Sequence, residues 1–282
     1  MKRHHDIQTG RGSRLFQDIV SLLLILYTFI TIFLLGNTVL SSFKSKAELI
    51  TNLMGLPKDP TFATYAKVFV QDGFFRYVFN SLLLVSVALL LLMIVASMLA
   101  YGVAQYSFRG KGIINGYLLI GLMVPVQLSI LPLYLALAKI HMVNIWGLML
   151  IYAANLSFSF TVFLQFFKEL PTSVIESARI DGASDFKIFS AIVVPISKPV
   201  FATVALLQFI TIWNDFFLPM VFLTKKSTFT LTLAIFNYTQ NFMKNLDKIF
   251  AVVTMALIPI LIIYFLFSEQ IVAGMTAGAT KE

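Results

Sequence analysis

From Ile19 to about Leu40 the chain runs without a charged side chain, and about 20 apolar residues are enough for a helix to cross the hydrocarbon core of a bilayer. In lipid every backbone N–H and C=O must be satisfied within the chain, so such a run folds as a helix. Five more runs follow, at about Phe79 to Tyr101, Ile113 to Ala138, Asn144 to Phe167, Pro199 to Leu223 and Ile249 to Val272. The pattern predicts an all-α integral membrane protein with six transmembrane helices. Composition agrees, with 59% hydrophobic and 12% charged residues against roughly 45–50% and 25% in soluble domains. A mean hydropathy of +0.87 is the reverse of what disorder requires.

The runs divide the chain. Residues 1–18 form a polar, basic tail, 19–40 the first span, 41–78 a polar, partly helical loop with Pro57 and Pro60, 79–273 a core with spans two to six, and 274–282 a short tail. The first run exceeds the 7–15 apolar residues of a signal peptide and shows no small-residue cleavage site, so it is expected to be a retained helix. Pro125 and Pro132 in the third run remove backbone donors and tend to kink a helix. Asn155, Ser157 and Ser159 lie in the middle of the fourth, where polar atoms should face a helix or a cavity. Ala96, Ala100 and Ala104 recur every fourth residue along the second and offer a surface for close helix packing. Six spans put both termini on one side, but the lysines and arginines divide almost evenly between the two sides and barely orient the chain.

Several function classes drop out. The net charge of +8 is spread over tails and loops, as expected of basic residues flanking spans, and gives no nucleic-acid surface. Without cysteine no disulfide or thiolate site can form, and with only His4, His5 and His141 no multi-histidine metal site is expected in the membrane. Gly110-Lys111 lacks the upstream Gly and following Ser or Thr of a phosphate-binding loop, so the chain is not expected to hydrolyse ATP. No internal repeat marks it as a secondary transporter of the inverted-repeat kind.

Residues 168–199, between the fourth and fifth runs, are different in kind and read as two short helices around a tight turn. Ser173 and Glu176 have capping-box spacing, Gly182 sits where a left-handed residue stops a helix, and Ser184 with Asp185 offers the next N-cap. Phe186, Phe189, Ile192 and Val193 give the second helix an apolar stripe, and Pro195 and Pro199 are expected to end it. On pattern alone this is either an amphipathic loop on the bilayer surface or a contact device. In the fifth run Trp213, Asn214 and Asp215 stand together. An intramembrane carboxylate is a functional-site hypothesis by default: Trp and Asn could stack on and hydrogen-bond a sugar, or the trio could be a structural polar cluster.

Glu176-Ser177-Ala178-Arg179-Ile180-Asp181-Gly182-Ala183, continuing to Pro195, resembles the EAA loop of ABC importer permeases, with Ser177 where that family usually has Ala. Asn80-Ser81, Ala100-Tyr101, Phe108-Arg109-Gly110, Val124-Pro125, Pro132-Leu133-Tyr134, Trp213-Asn214-Asp215 and Gly274-Met275-Thr276-Ala277-Gly278-Ala279 resemble the maltose-type carbohydrate permeases, in particular their smaller, MalG-like subunit. The likeness runs from Phe79 to Lys281.

The resemblance implies a non-enzymatic permease subunit of a binding-protein-dependent carbohydrate importer, in a bacterial cell membrane and surrounded by lipid. Its implied partners are a second, MalF-like permease, two copies of a cytoplasmic ATPase and an extracytoplasmic solute-binding protein that delivers a sugar, with no nucleic acid involved. The chain would bind no cofactor, since ATP and magnesium belong to the ATPase. Glu176, Ser177, Ala178, Asp181, Gly182, Ala183 and Pro195 would form the coupling loop seated on the ATPase, which makes that loop and both termini cytoplasmic. Gly274, Thr276 and Gly278 would reach between the ATPase subunits, the loop from Lys225 to Lys248 would touch the binding protein, and Trp213, Asn214 and Asp215 are the possible substrate path. The alternatives are a permease for a non-sugar solute, or a membrane-embedded enzyme using Glu176, Asp181 and Asp185 as metal ligands.

Overall fold

A computed structural model describes residues 11–277, with side chains from 16 to 266, and within that range the chain is helical and has no strand. The first run becomes α1 (Arg11–Ser41), whose only extensive packing is against the last helix. The polar loop is partly helical, as expected, and holds α2 (Lys46–Thr51) and α3 (Ala63–Val70). Lys44 organises it, fully buried with Nζ donating to the carbonyls of Asn52 and Leu53 at 2.9 and 3.0 Å. The second run is α4 (Phe74–Gln105), starting after Gly73 at φ 68°.

The third run does not cross as one rod. α5 (Lys111–Met123) ends at Val124-Pro125, a 3₁₀ turn spans Val126–Ser129, and α6 (Ile130–Lys139) follows, the two arms meeting at 97°. Pro125 causes this, because the residue before a proline is pushed out of helical geometry, and Val124 is extended. Pro132 falls in the first turn of α6, where a missing N–H costs little. The fourth run is α7 (Ile145–Ala154) and α8 (Ser157–Lys168), interrupted at Asn155-Leu156. The segment after it holds α9 (Thr172–Ile180), α10 (Asp185–Ile188), a π turn (Phe189–Val193) and α11 (Val194–Ile196). That strand of helix turns by 79° into α12 (Lys198–Asn214). Then come α13 (Phe217–Phe222), α14 (Leu231–Thr239) and α15 (Phe242–Ala277), kinked at Asn245. Four helices or helix pairs are long and apolar enough to span, and six if each bent pair counts as one.

Two apolar clusters hold the bundle. One gathers Leu84, Ala88, Leu148, Phe209, Trp213, Phe222 and Val252 from α4, α7, α12, α13 and α15. The other gathers Ala96, Ala100, Phe160, Phe163, Phe167, Ile175, Ile188 and Val204 from α4, α8, α9, α10 and α12. Ala96 and Ala100 let α4 and α8 approach closely, and this is the most extensive helix pair among the described residues. Gln208 lies between the two clusters along α12, its Nε2 donating to Ser159 Oγ at 3.0 Å. Gly147 packs against the Met142 carbonyl with no space for a Cβ.

Candidate functional site

The hairpin of α9 and α10 forms from strong local signals. Pro171 rather than Ser173 starts α9. Thr172 takes the first helical position, which moves Ser173 inside the helix, where its carbonyl accepts the Ser177 hydroxyl at 2.8 Å. The expected capping box is therefore absent. Gly182 closes α9 at φ 76°. Its N–H donates to the Arg179 carbonyl and that of Ala183 to the Ala178 carbonyl, both at 3.0 Å, the paired bonds of a left-handed C-cap. Ser184 then caps α10, its hydroxyl accepting the Lys187 N–H at 3.4 Å.

The inner face of the hairpin is continuous with the membrane core. Ile175, Ala178, Ile188, Phe189 and Val193 share a cluster with Tyr101, Phe163 and Phe167. Arg179 braces the turn, 3.7 Å from Asp185 and 5.5 Å over the Tyr106 ring. The outer face exposes Glu176, Ser177, Asp181 and Gly182, with Ala183 half-buried, and between them stand Ile180 and Phe186 at 86% and 68% exposure. Two expectations change here. Ala178 faces the chain's own core, not outward, and Phe186 leaves the apolar stripe, its place taken by Ile188. The helix runs one residue past Pro195 and ends at Ile196, ahead of Pro199. Val194 N–H reaches back five residues to the Phe189 carbonyl, and this wider π turn directly precedes the proline and makes room for its ring. The hairpin's carboxylates do not make a metal site: among the described residues no three of His, Asp and Glu are grouped to hold an ion.

The fifth-run trio separates. Trp213 is 3% exposed, stacked on Phe209 at 5.4 Å, and its carbonyl accepts Thr232 Oγ1 at 2.7 Å, so its ring is a core element. Asn214 and Asp215 do line one, of about 300 Å³, together with Gln127, Asn155, Gln208 and Thr211. Asp215 Oδ2 accepts the Tyr152 hydroxyl at 2.8 Å, and Oδ1 accepts the N–H groups of Phe217 and Leu218 at 2.8 and 3.4 Å. The cavity adjoins three helix interruptions, after Pro125, at Asn155 and at Asp215. Of its residues Gln127, Gln208 and Thr211 were not singled out in the sequence. A readable signal existed, a glutamine within each of two largely apolar runs.

At the far end of the bundle from the hairpin, Asp72 ties α14 to α15. It accepts the Tyr238 hydroxyl and Lys248 Nζ, both at 2.7 Å. Burial pushes its pKa up, but the bonds from Lys248 and Tyr238 and the charges of Lys248 and Lys226 outweigh this and hold the carboxyl below its ordinary value. Tyr238 is pushed up, first by burial and then by Asp72. Asn80 Nδ2 donates to the carbonyls of Ser227 and Phe229, and Ser81 Oγ accepts the Leu231 N–H, fixing the start of the 225–248 loop. Gly274 and Thr276 are in the last turns of α15, and Gly278 lies outside the described residues.

A family model described as "Binding-protein-dependent transport system inner membrane component" matches residues 93–276. The diacetylchitobiose uptake system permease protein of Streptomyces coelicolor is 34% identical over 275 residues, covering 96% of this chain and 91% of that one. The arabinooligosaccharides transport system permease protein of Bacillus subtilis is 32% identical, covering 86% and 88%. Among solved structures, a chain of a bacterial ABC transporter involved in the import of the acidic polysaccharide alginate has the same fold. Its TM-score is 0.81 at 22% identity, over 92% of this chain and 98% of that one.

Proposed function

The chain belongs to the family of binding-protein-dependent transport system inner membrane components, and from that premise we propose that it carries an oligosaccharide or related sugar across the membrane by alternating access. It is a multi-pass membrane permease component and not an enzyme. In this reading it pairs with a second permease, receives sugar from an external binding protein, and takes its energy from two copies of a separate ATPase that hold ATP and magnesium. The similarity to permeases named for diacetylchitobiose and arabinooligosaccharides supports a sugar cargo.

The observation that carries the coupling step is the two-faced hairpin. Its outer face offers Ile180 and Phe186 among carboxylates, while its inner face belongs to the same apolar cluster as α4 and α8. A partner gripping the outer face therefore moves the membrane helices with it, because packed interiors shift as bodies and do not deform continuously. This side is the cytoplasmic one in our reading, with both termini. ATP binding favours the outward-open state and hydrolysis returns it, a population shift set by differential affinity.

The test is Ile180→Asp and Phe186→Asp, each placing a charge on the proposed contact without touching the core. The expected outcome is loss of the ATPase from the purified assembly, with uptake lost in parallel. Retention of a sugar-stimulated ATPase in both variants would refute the coupling role.

A further inference from the structure

Building on the permease reading, we propose that the cavity bounded by the breaks in α5–α6, α7–α8 and α12–α13 is a binding subsite for an uncharged saccharide, held by hydrogen bonds from Gln127, Asn155 and Asn214. The first ground is convergence. Three helices are interrupted, and all three interruptions border one cavity. In a membrane, irregular backbone is kept where it is buried in protein or lines a water-filled cavity, and discontinuous helices commonly form binding sites.

The second ground is unused hydrogen-bonding capacity. Cavity residues that serve structure show it: Gln208 holds Ser159, and Thr211 donates to the Leu207 carbonyl. The side-chain amides of Gln127 and Asn155 form no hydrogen bond among the described residues, and Asn214 commits only its Nδ2, to the Ile210 carbonyl. A free amide offers two donors and an acceptor with two lone pairs, the complement of vicinal hydroxyls. At about 300 Å³ the cavity is at the lower end of the roughly 300–1,000 Å³ typical of small-molecule sites, which fits part of an oligosaccharide.

The third ground fixes the charge class. The one ionisable acid lining the cavity is Asp215, and both of its oxygens are engaged by Tyr152 and the α13 backbone. No lysine or arginine lines it. An acidic sugar would place its carboxylate near Asp215 with no basic side chain in the lining to offset the repulsion, and a nearby like charge disfavours the ionised form.

The chain contains no cysteine, so a single introduced thiol reports alone. Asn155→Cys and Gln127→Cys are examined in the assembled importer in membrane vesicles. The rate of modification by a cationic methanethiosulfonate reagent is read from the mass of this chain. It is measured alone and with saturating maltotriose, arabinotriose, trehalose, diacetylchitobiose or trigalacturonate. Both thiols should react, and at least one neutral saccharide should slow both while trigalacturonate does not. For the protecting saccharide, Asn155→Leu should raise the uptake KM by about fivefold, the scale of one lost hydrogen bond, with the maximal rate kept. Unreactive thiols, protection by none of the neutral sugars, protection by trigalacturonate alone, or an unchanged KM would each overturn the subsite. Ile180→Cys separates the two readings. It should be shielded when the ATPase is assembled and reactive when the ATPase is stripped, and equal reactivity would sink the coupling reading whatever the cavity thiols do.

Discussion

Tyr152 and Asp215 join α7 to the start of α13 through one carboxylate, with Oδ2 accepting the tyrosine hydroxyl at 2.8 Å while Oδ1 caps the short helix that follows. Each oxygen has its own task, so substitutions should grade. Asp215→Asn keeps an acceptor for the cap and a polar group for Tyr152. Asp215→Ala loses a charge-assisted bond of about 1.5–3 kcal/mol and a cap of about 0.5–2 kcal/mol. Thermal unfolding of the purified protein should rank wild type above Asp215→Asn and Asp215→Asn above Asp215→Ala. Equal midpoints for the two variants would contradict the division of labour.

The bond between Asp72 and Lys248 makes the far end of the bundle acid-sensitive. A carboxyl whose folded pKa is depressed adds stability that is present above its unfolded pKa and lost as pH falls through the folded value. For Asp72 the loss should begin as pH drops below the ordinary value near 3.8. Asp72→Asn should flatten this part of the pH profile, and an unchanged acid limb in unfolding scans between pH 5 and 2, a window of about that unfolded value and the range below it, would show the pair to be inert.

Gly182 has open space where a Cβ would point, so the penalty for replacing it is conformational and not steric crowding. At φ 76°, Gly182→Val should cost about 1–2 kcal/mol, while Gly182→Asn, which tolerates that region, should cost less. Uptake is the readout. The valine variant should lose most of it and the asparagine variant should keep more, and the opposite order would mean the turn geometry is not what coupling requires.

Lys44 is buried without a carboxylate, its ammonium satisfied by the Asn52 and Leu53 carbonyls. Lys44→Met preserves the stem and removes two charge-assisted bonds, each worth about 1.5–3 kcal/mol. Limited proteolysis should then cut faster between residues 52 and 61, and identical cleavage would assign the loop's order to its aromatic contacts, Phe43 with Phe62 and Tyr65.

What could be read in the sequence was what depends on neighbours in the chain. Gly182 and Ser184 behave as their local chemistry dictates, and Pro125 breaks its run for a reason fixed by Val124 beside it. Ala178, Phe186 and Trp213 went otherwise because their surroundings come from afar. Ala178 meets the α4 and α8 side chains, and Trp213 is enclosed by Phe209 and the arriving α14. Gln208 and Ser159 are 49 residues apart, and neither alone marks the other. The cavity was half visible: Asn155 signalled a polar interior, but only the bend at Pro125 carries Gln127 to it.

The two apolar clusters are bridged by two uninterrupted helices, α4 and α12, whereas α5–α6 bends at Pro125 and α7–α8 is interrupted at Asn155 between them. Mechanically these are two stiff struts and two articulated ones. Under the proposed coupling, a pull on the hairpin would travel along the struts, while the articulated members would take up the difference at Pro125 and Asn155. One wall of the cavity is thus carried on α12 and the facing wall on the joints at Pro125 and Asn155, so in the proposed cycle its width could change while both apolar clusters stay intact.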